Sequence, residues 1–319
     1  MPKRWAIIGG GNISTSHAIA LQRSRSAQLV GVADVEAKAR GRAEAAFNVP
    51  AFETAESMID ALRPDAVTIA LPHALHLYGA RVAAERGVHV LCEKPLAPSV
   101  EESQELVGVC RDARVRLGAI LNNRGYPQTR WIRDVIADGR LGARAFTLTL
   151  ALGSMATGRR RDGGLGGTIL LGAGIHYVDL LRWWFGPLDE VAAVSDLTDD
   201  AVSVAALRFR SGVTGVFRTS SVGSYGRPAR IDIDGDHGSI SVIGATIERV
   251  DGELGSPPPP LAAVDGMRFG PGHLVVIDEA ARALENDLPF PVSGEEGLEA
   301  VAICDAIYSA AHRGVPASV

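Results

Sequence analysis

The chain has few cysteines and no long apolar run. Its three cysteines, Cys92, Cys110 and Cys304, are far apart and lack the C-x-x-C spacing of zinc and redox sites. We therefore expect no metal centre, no disulfide framework and a reducing compartment, the cytoplasm. No stretch approaches the roughly 18 apolar residues of a membrane-spanning helix. The apolar start at residues 5–8 is too short for a signal peptide.

Charges of one sign are not concentrated anywhere in the chain. The formal net charge is −5, and the longest block of like charge is Arg159-Arg160-Arg161. Nucleic acids and anionic membranes bind strongly basic surfaces, so neither is expected as a partner. Hydrophobic residues make up 46% of the chain and charged residues 22%, which is typical of an ordinary packed protein. Small molecules and other proteins remain as partners.

The first third of the chain alternates short apolar runs with helical patterns. This alternation is typical of βαβ units that build a parallel sheet. Strands are predicted at residues 5–9, 28–33, 66–70, 88–92 and 115–120. Helices are predicted at 13–24, 35–46, 54–62, 74–86 and 99–112, with Thr54 and Ser99 as capping residues. We expect a doubly wound α/β domain, a Rossmann domain, over residues 1–121.

The pattern changes after residue 121. The predicted elements are a helix at 127–138, a strand at 144–152, a Gly- and Arg-rich loop at 153–167 and a helix at 174–185. Alternating runs between 189 and 250 indicate a mainly antiparallel sheet, and helices at 272–286 and 294–313 close the chain. Residues 122–319 are thus expected to form a second, α+β domain.

A glycine-rich turn follows the first predicted strand and opens a helix. Gly9-Gly10-Gly11-Asn12-Ile13 supplies backbone N–H groups and a helix N-terminus, which together suit a pyrophosphate. Ser14 stands where the third glycine of G-x-G-x-x-G is usual. Asp34 ends the second strand, where a carboxylate accepts hydrogen bonds from ribose hydroxyls and repels a 2′-phosphate. The turn and Asp34 favour NAD over NADP, and the alternative is a simple tight βα connection.

Chemically distinctive residues follow the third and fourth predicted strands. Glu93-Lys94-Pro95 and Pro72-His73-Ala74-Leu75-His76 lie at the carboxyl edge, where ligands of such sheets bind. With Asn123-Arg124 and Gly174-Ile175-His176-Tyr177-Val178-Asp179, these motifs resemble those of the Gfo/Idh/MocA family, named for glucose–fructose oxidoreductase and inositol dehydrogenase. The resemblance extends nearly from end to end.

The resemblance implies an NAD(P)-dependent oxidoreductase that moves hydride between nicotinamide and a sugar, polyol or related cyclic hydroxy compound. It implies a Rossmann domain followed by a domain with an open sheet, and a homodimer or homotetramer. Lys94 and His176 are the catalytic residues that it implies. The cofactor-binding residues expected are Gly9, Gly11, Asn12, Ile13, Asp34, Pro72, His76, Glu93 and Lys94. The substrate-binding residues expected are Lys94, Arg124, Gly172 and His176.

One position departs from the family pattern. Many members carry an aspartate four residues before the histidine, whereas this chain has Gly172 before His176. Either the substrate is bound differently or the activity is weakened or lost. Two alternatives therefore stay open: a redox-neutral sugar-modifying enzyme with retained NAD, and a non-catalytic NAD-binding sensor. His17, on the first helix, is expected to serve helix packing rather than cofactor contact.

Overall fold

The computed structural model describes residues 1–153, 169–195, 202–222 and 226–318. The predicted loop at 153–167 lies, beyond its first residue, outside these ranges. Contacts between Cα atoms divide the chain into two units. The first contains Met1–Gly125 and Ala262–Glu299, and the second contains Tyr126–Leu261 and Ala300–Val319.

The first unit contains a six-stranded parallel sheet. Its strands are β1 (Lys3–Ile8), β2 (Ala27–Ala33), β3 (Ala51–Phe52), β4 (Ala66–Ile69), β5 (His89–Glu93) and β6 (Leu117–Ile120). Their order is β3-β2-β1-β4-β5-β6, and all neighbours are parallel. This is the doubly wound order of a dinucleotide-binding domain, so the predicted fold class is confirmed. The two-residue β3 escaped prediction because it is too short to show a period.

Helices connect these strands. They are α1 (Ser14–Arg23), α2 (Ala37–Phe47), α3 (Ala55–Leu62), α4 (His76–Ala84) and α5 (Val100–Asp112). The Thr54 hydroxyl accepts a hydrogen bond from the Ser57 N–H at 3.1 Å, and the Ser99 hydroxyl accepts one from the Glu102 N–H at 3.2 Å. Both predicted helix caps are therefore present.

A late segment of the chain completes the first unit. Helix α8 (Gly272–Glu285) places Ile277, Ala281 and Leu284 in one core with Trp5 of β1. The Ala119 N–H of β6 also donates to the Val292 carbonyl at 3.2 Å. The division by contacts thus differs from the boundary expected at residues 121 and 122, because α8 buries its apolar face in the first core.

The second unit contains an eight-stranded sheet in the order β13-β12-β11-β7-β10-β9-β8-β14. Its strands are β7 (Ala143–Ala151), β8 (Leu188–Ser195), β9 (Val202–Phe209), β10 (Thr214–Ser220), β11 (Arg227–Gly235), β12 (Gly238–Ile243), β13 (Thr246–Asp251) and β14 (Ala317–Ser318). Its neighbours are antiparallel except β7 and β10, which run parallel. The sheet is therefore mixed and mainly antiparallel.

Aromatic side chains hold helix α7 (Ile175–Phe185) on one face of this sheet. The Phe185 ring lies 5.5 Å from that of Phe146 and 5.4 Å from that of Phe209. The Trp184 indole donates to the Thr129 carbonyl of α6 (Pro127–Ala137) at 3.0 Å. This packing anchors the helix whose first turn carries His176. The last helix is α9 (Gly294–Arg313). No helix in the described ranges is long and apolar enough to cross a membrane.

Candidate cofactor-binding and catalytic site

The glycine turn between β1 and α1 is tight on its sheet side and open at Gly11. Gly9 has a φ of +105°, and a Cβ there would lie 2.5 Å from the Ala70 carbonyl oxygen. Any other residue at this position would be strained. The Ser14 hydroxyl donates to the Gly11 carbonyl at 2.7 Å, so serine ties the turn to its helix. A Cβ at Gly11 would meet no described atom within 4 Å.

Asp34 connects the end of β2 to this turn. Its Oδ2 accepts from the Gly10 N–H at 2.6 Å, and its Oδ1 accepts from the Glu36 N–H at 2.8 Å. The carboxylate lines a cavity of about 590 Å³ beside the turn. Glu36 and Glu53 add two further acidic side chains to the lining. This cavity is therefore suited to a group that donates hydrogen bonds, such as a sugar diol.

The other walls of the cavity are mostly apolar. Pro72, Leu75 and Tyr78 contribute from the segment after β4. Leu75 is 41% exposed and Tyr78 is 47% exposed, which leaves apolar surface accessible to a ligand ring. The cavity thus combines an acidic end with an apolar slot.

Glu93 ends β5 with a carboxylate that is buried among N–H donors. Its Oε1 lies 2.9 Å from His17 Nε2 and 3.4 Å from His273 Nε2, and its Oε2 accepts from the Lys94 N–H at 3.1 Å. Burial opposes ionisation of Glu93, but hydrogen bonds from His17 and His273 outweigh it. The pKa of Glu93 therefore lies well below its usual range, and the residue is a buried anion.

Lys94 follows this carboxylate at the same edge of the sheet. Its side chain is half-buried, and burial lowers the pKa of its ammonium group, while the charge of Glu93 acts in the opposite direction. The chain contains three lysines, so a lysine held at a sheet edge is distinctive here. An ammonium group in this position can donate hydrogen bonds to an oxygen that gains negative charge.

Two histidines follow β4 near Lys94. His76 is fully buried, and its Nδ1 and Nε2 each lie 2.9 Å from a backbone carbonyl oxygen, those of Pro95 and Leu71. His76 therefore fastens the loop after β4 to the loop after β5. Burial, followed by the charges of His76 and Lys94, lowers the pKa of His73 to about 4. His73 is thus neutral at pH 7, and its buried Nδ1 has no hydrogen-bond partner among the described residues.

Three further predicted residues have distinct surroundings. Asn12 is exposed and Ile13 is half-buried where the glycine turn enters α1. Arg124 is only 3% exposed, and its Nη1 donates to the Glu296 carboxylate at 2.5 Å. Glu296 caps α9, since its carboxylate also accepts from the Ser293 N–H. The substrate role expected for Arg124 stays a prediction.

His176 lies in the second unit, on the first turn of α7. A π-helical turn, Leu170–Gly174, precedes it and contains Gly172. Such turns occur frequently at functional sites. A Cβ at Gly172 would meet no described atom within 4 Å. His176 is half-buried, Asp179 is fully buried, and burial raises the pKa of Tyr177 to about 12.

Sequence reasoning missed the partners of Glu93. His17 was expected only to pack within the first helix, and His273 was not singled out. The one available signal was the burial expected of His17 on the inner face of α1. No local pattern marks His273, because α8 lies far from β5 in the sequence and only the tertiary fold joins them.

Two family models match the chain. The model described as an oxidoreductase family with an NAD-binding Rossmann fold matches residues 3–120, and the Gfo/Idh/MocA C-terminal domain matches residues 129–241. The chain belongs to the Gfo/Idh/MocA oxidoreductase family. The resemblance expected from the motifs is thereby confirmed for both parts of the chain.

Individual members of the Gfo/Idh/MocA family align with this chain over nearly its whole length. Inositol 2-dehydrogenase of Rhizobium meliloti is 28% identical over 96% of this chain and 96% of that enzyme. The 1,5-anhydro-D-fructose reductase of Ensifer adhaerens is 27% identical over 99% of this chain and 98% of that enzyme. The WlbA dehydrogenase from Bordetella pertussis, solved with NADH and UDP-GlcNAcA, is 28% identical with a TM-score of 0.88. The match covers 100% of this chain and 98% of that chain.

The described residues offer no clear metal site. No group of three or more His, Cys, Asp or Glu side chains in these ranges is arranged to hold a metal ion. His17 and His273 each contact the Glu93 carboxylate, whereas their own rings lie 6.2 Å apart. The three cysteines are free and buried.

Alanine is expected to affect stability at Gly9 and cofactor binding at Gly11. Gly9→Ala introduces strain and a clash with Ala70, so the free energy of unfolding should fall by about 1–3 kcal/mol. Gly11→Ala meets open space, so stability should change by less than about 0.5 kcal/mol, while NAD binding weakens at least about tenfold because the backbone approach is blocked. Urea unfolding and NADH fluorescence titration measure the two effects. Tight NADH binding by Gly11→Ala would contradict this assignment.

Proposed function

We propose that this protein is an NAD-dependent oxidoreductase. It transfers hydride between nicotinamide and a hydroxyl-bearing carbon of a sugar, a polyol or a related cyclic hydroxy compound. The observation that carries the proposal is the common sheet edge in the first unit, where the glycine turn, Asp34 and Lys94 follow β1, β2 and β5. Ligands of such sheets bind at this edge. The named relatives, which include an inositol dehydrogenase, support the substrate class.

The residues present fit NAD. Gly11 leaves space for a pyrophosphate at the N-terminus of α1, and Asp34 offers a carboxylate to a ribose diol. Glu36 and Glu53 make the same cavity unfavourable for a 2′-phosphate. Arg40 is a nearby cation, and its Nη1 donates to the carbonyls of Asp34 and Val35, each at 2.9 Å. When bound, NAD supplies the hydride acceptor for alcohol oxidation.

The chain's own residues manage the proton and the developing charge. Lys94 donates a hydrogen bond to the reacting oxygen and stabilises it as an alkoxide. The imidazole of His176 takes the hydroxyl proton in oxidation and returns it in reduction. The further residues assigned to the cofactor are Gly9, Asn12, Ile13, Pro72, His76 and Glu93, and those assigned to the substrate are Arg124 and Gly172.

Gly172 favours a second candidate function. It places no carboxylate four residues before His176, and its Cβ position is open toward the described residues. A redox-neutral enzyme that oxidises and then reduces the same sugar would use the same NAD site. Product analysis without a net change in nicotinamide absorbance identifies that enzyme. NAD binding with no product at all identifies a sensor.

A second copy of this chain is proposed to cover the free face of the eight-stranded sheet. On that face Val216 of β10 lies beside Ala206 of β9, and Val194 of β8 lies beside Val204 of β9. Val194 is 68% exposed and Val216 is 41% exposed. Small apolar side chains in adjacent rows are suited to a self-complementary interface.

A cytoplasmic location is also proposed, and the buried free thiols support it.

The acidic cavity predicts a preference for NAD(H). The wild-type protein should bind NADH at least about tenfold more tightly than NADPH, because Asp34 repels the 2′-phosphate. Asp34→Ser with Val35→Arg should reverse this preference. Isothermal titration of both cofactors measures it, with Lys38→Ala as a surface control. Equal or tighter NADPH binding by the wild-type protein would contradict the assignment and point to Arg40.

The roles of Lys94 and His176 predict different kinetic losses. On a polyol and sugar panel, Lys94→Ala should lower kcat/KM at least about 100-fold, the scale for losing one transition-state donor. NADH affinity should change little.

His176→Asn should remove the rise in oxidation rate between about pH 5 and 8 that a histidine base produces. Absorbance at the nicotinamide band measures both. A His176→Asn enzyme with unchanged rate and pH profile would assign the proton to another group.

The free sheet face predicts a change in oligomeric state. Val216→Glu introduces a charge into the proposed interface, which should weaken association at least about tenfold and yield monomers at micromolar concentration. Sedimentation velocity measures the mass. Leu288→Glu, at a residue 56% exposed in the first unit, is the matched control and should leave the oligomer intact. A monomeric wild-type protein would contradict the proposal.

A further inference from the structure

The carboxylate of Glu93 is held between histidines from two distant helices. His17 belongs to α1 and His273 to α8, and their exposures are 0% and 3%, against 5% for Glu93. His17 also has a second contact, because its Nδ1 lies 3.0 Å from the Thr68 hydroxyl of β4. Four elements of the first unit therefore meet at one anion.

Hydrogen bonding defines how this cluster works. With the proton on Nε2, His17 donates to Glu93 and accepts from the Thr68 hydroxyl, so both ring nitrogens are satisfied without a positive charge. Burial lowers the pKa of His17, which favours this neutral form. The negative charge of Glu93 is thus oriented by its donors and remains available to a neighbouring cation.

The neighbouring cation is Lys94. Its backbone N–H donates to Glu93 Oε2, and the next residue's carbonyl oxygen, that of Pro95, lies 2.9 Å from His76 Nδ1. The loop that carries the lysine is consequently held at two successive residues. We propose that Glu93, fastened by His17 and His273, is a positioning residue that fixes the Lys94 side chain and keeps it protonated. The catalytic importance of this positioning of Lys94 rests on the proposed function.

Other titratable groups also face this pair. His73 and His76 lie on the segment after β4, Cys92 precedes Glu93 in β5, and Cys110 of α5 is near Cys92. Burial raises the pKa of both thiols, so they stay uncharged. Burial also keeps His73 neutral at pH 7. Glu93 is therefore the group expected to set the charge of Lys94.

A buried anion without function is costly. Removing a carboxylate from water is strongly unfavourable, and apolar residues of the same volume often replace buried ion pairs without loss of stability. A purely structural link between α1, β5 and α8 needs no charge. An ammonium group that must stay charged in a half-buried place does need one.

The scarcity of lysine makes Lys94 directly observable. The chain has three lysines, Lys3, Lys38 and Lys94, so lysine labelled with ¹³C at Cε gives three resolvable NMR signals. Titration of the full-length protein, with and without NAD, reports the ionisation of Lys94 without any substrate. Lys3 and Lys38 are internal references. Proposed activity therefore plays no part in this readout.

Glu93→Gln keeps the shape of the side chain and removes its charge. Loss of the nearby anion disfavours the ammonium form, so the Lys94 signal should titrate at least about 0.5 pH unit lower than in the wild type. The alkaline limb of kcat/KM should move in the same direction. His89→Asn, at the opposite end of β5, is the matched control, because its Nδ1 contact to the Arg116 N–H is retained by the amide oxygen. It should shift neither.

A folded Glu93→Gln protein with an unshifted Lys94 titration overturns the proposal. If this variant does not fold, His273→Gln and His273→Leu decide. Glutamine keeps an N–H donor toward Glu93, and leucine does not. In the wild type and His273→Gln, the two Hε protons of Lys94 should differ in shift, whereas in His273→Leu they should become equivalent. Identical spectra for both variants overturn the proposal. Absent turnover with a shifted titration refutes the proposed function alone.

Discussion

The first unit depends on a carboxylate that cannot be left unpaired. Glu93 receives N–H groups from His17, His273 and its own neighbour Lys94. An ionised carboxylate in the interior is tolerated only when donors surround it, because water no longer solvates it. The positions of α1 and α8 relative to β5 are therefore constrained by one side chain. The lysine that follows is placed by the same constraint.

A second carboxylate plays a comparable part at the surface. Asp34 fastens the glycine turn through the Gly10 N–H, while the positive φ of Gly9 lets the turn lie against β4. The N-terminus of α1 is then presented next to an acidic cavity. Positive potential at the helix end and negative charge at the cavity wall suit the pyrophosphate and the diol of one molecule. The helix N-terminus and the acidic cavity thus present complementary charges side by side.

In the second unit, packing of α7 on the eight-stranded sheet fixes the position of His176. Phe185 and Trp184 anchor α7 by stacking and by one indole hydrogen bond. The π-helical turn before it contains Gly172. Helix α7 covers part of one face of the sheet. The opposite face carries the exposed side chains of Val194 and Val216.

Local features of both units were determined by the sequence alone. Continuous apolar runs marked the parallel strands, Thr54 and Ser99 marked helix starts, and the glycine-rich segment marked the tight turn between β1 and α1, because each signal resides within a few consecutive residues. Tertiary structure alone decided that 262–299 joins the first unit, that β7 pairs parallel with β10, and that His273 meets Glu93. Periodicity records which face of an element is buried. It contains no record of which distant element covers that face, since apolar packing is non-directional and the partner is chosen by the whole fold.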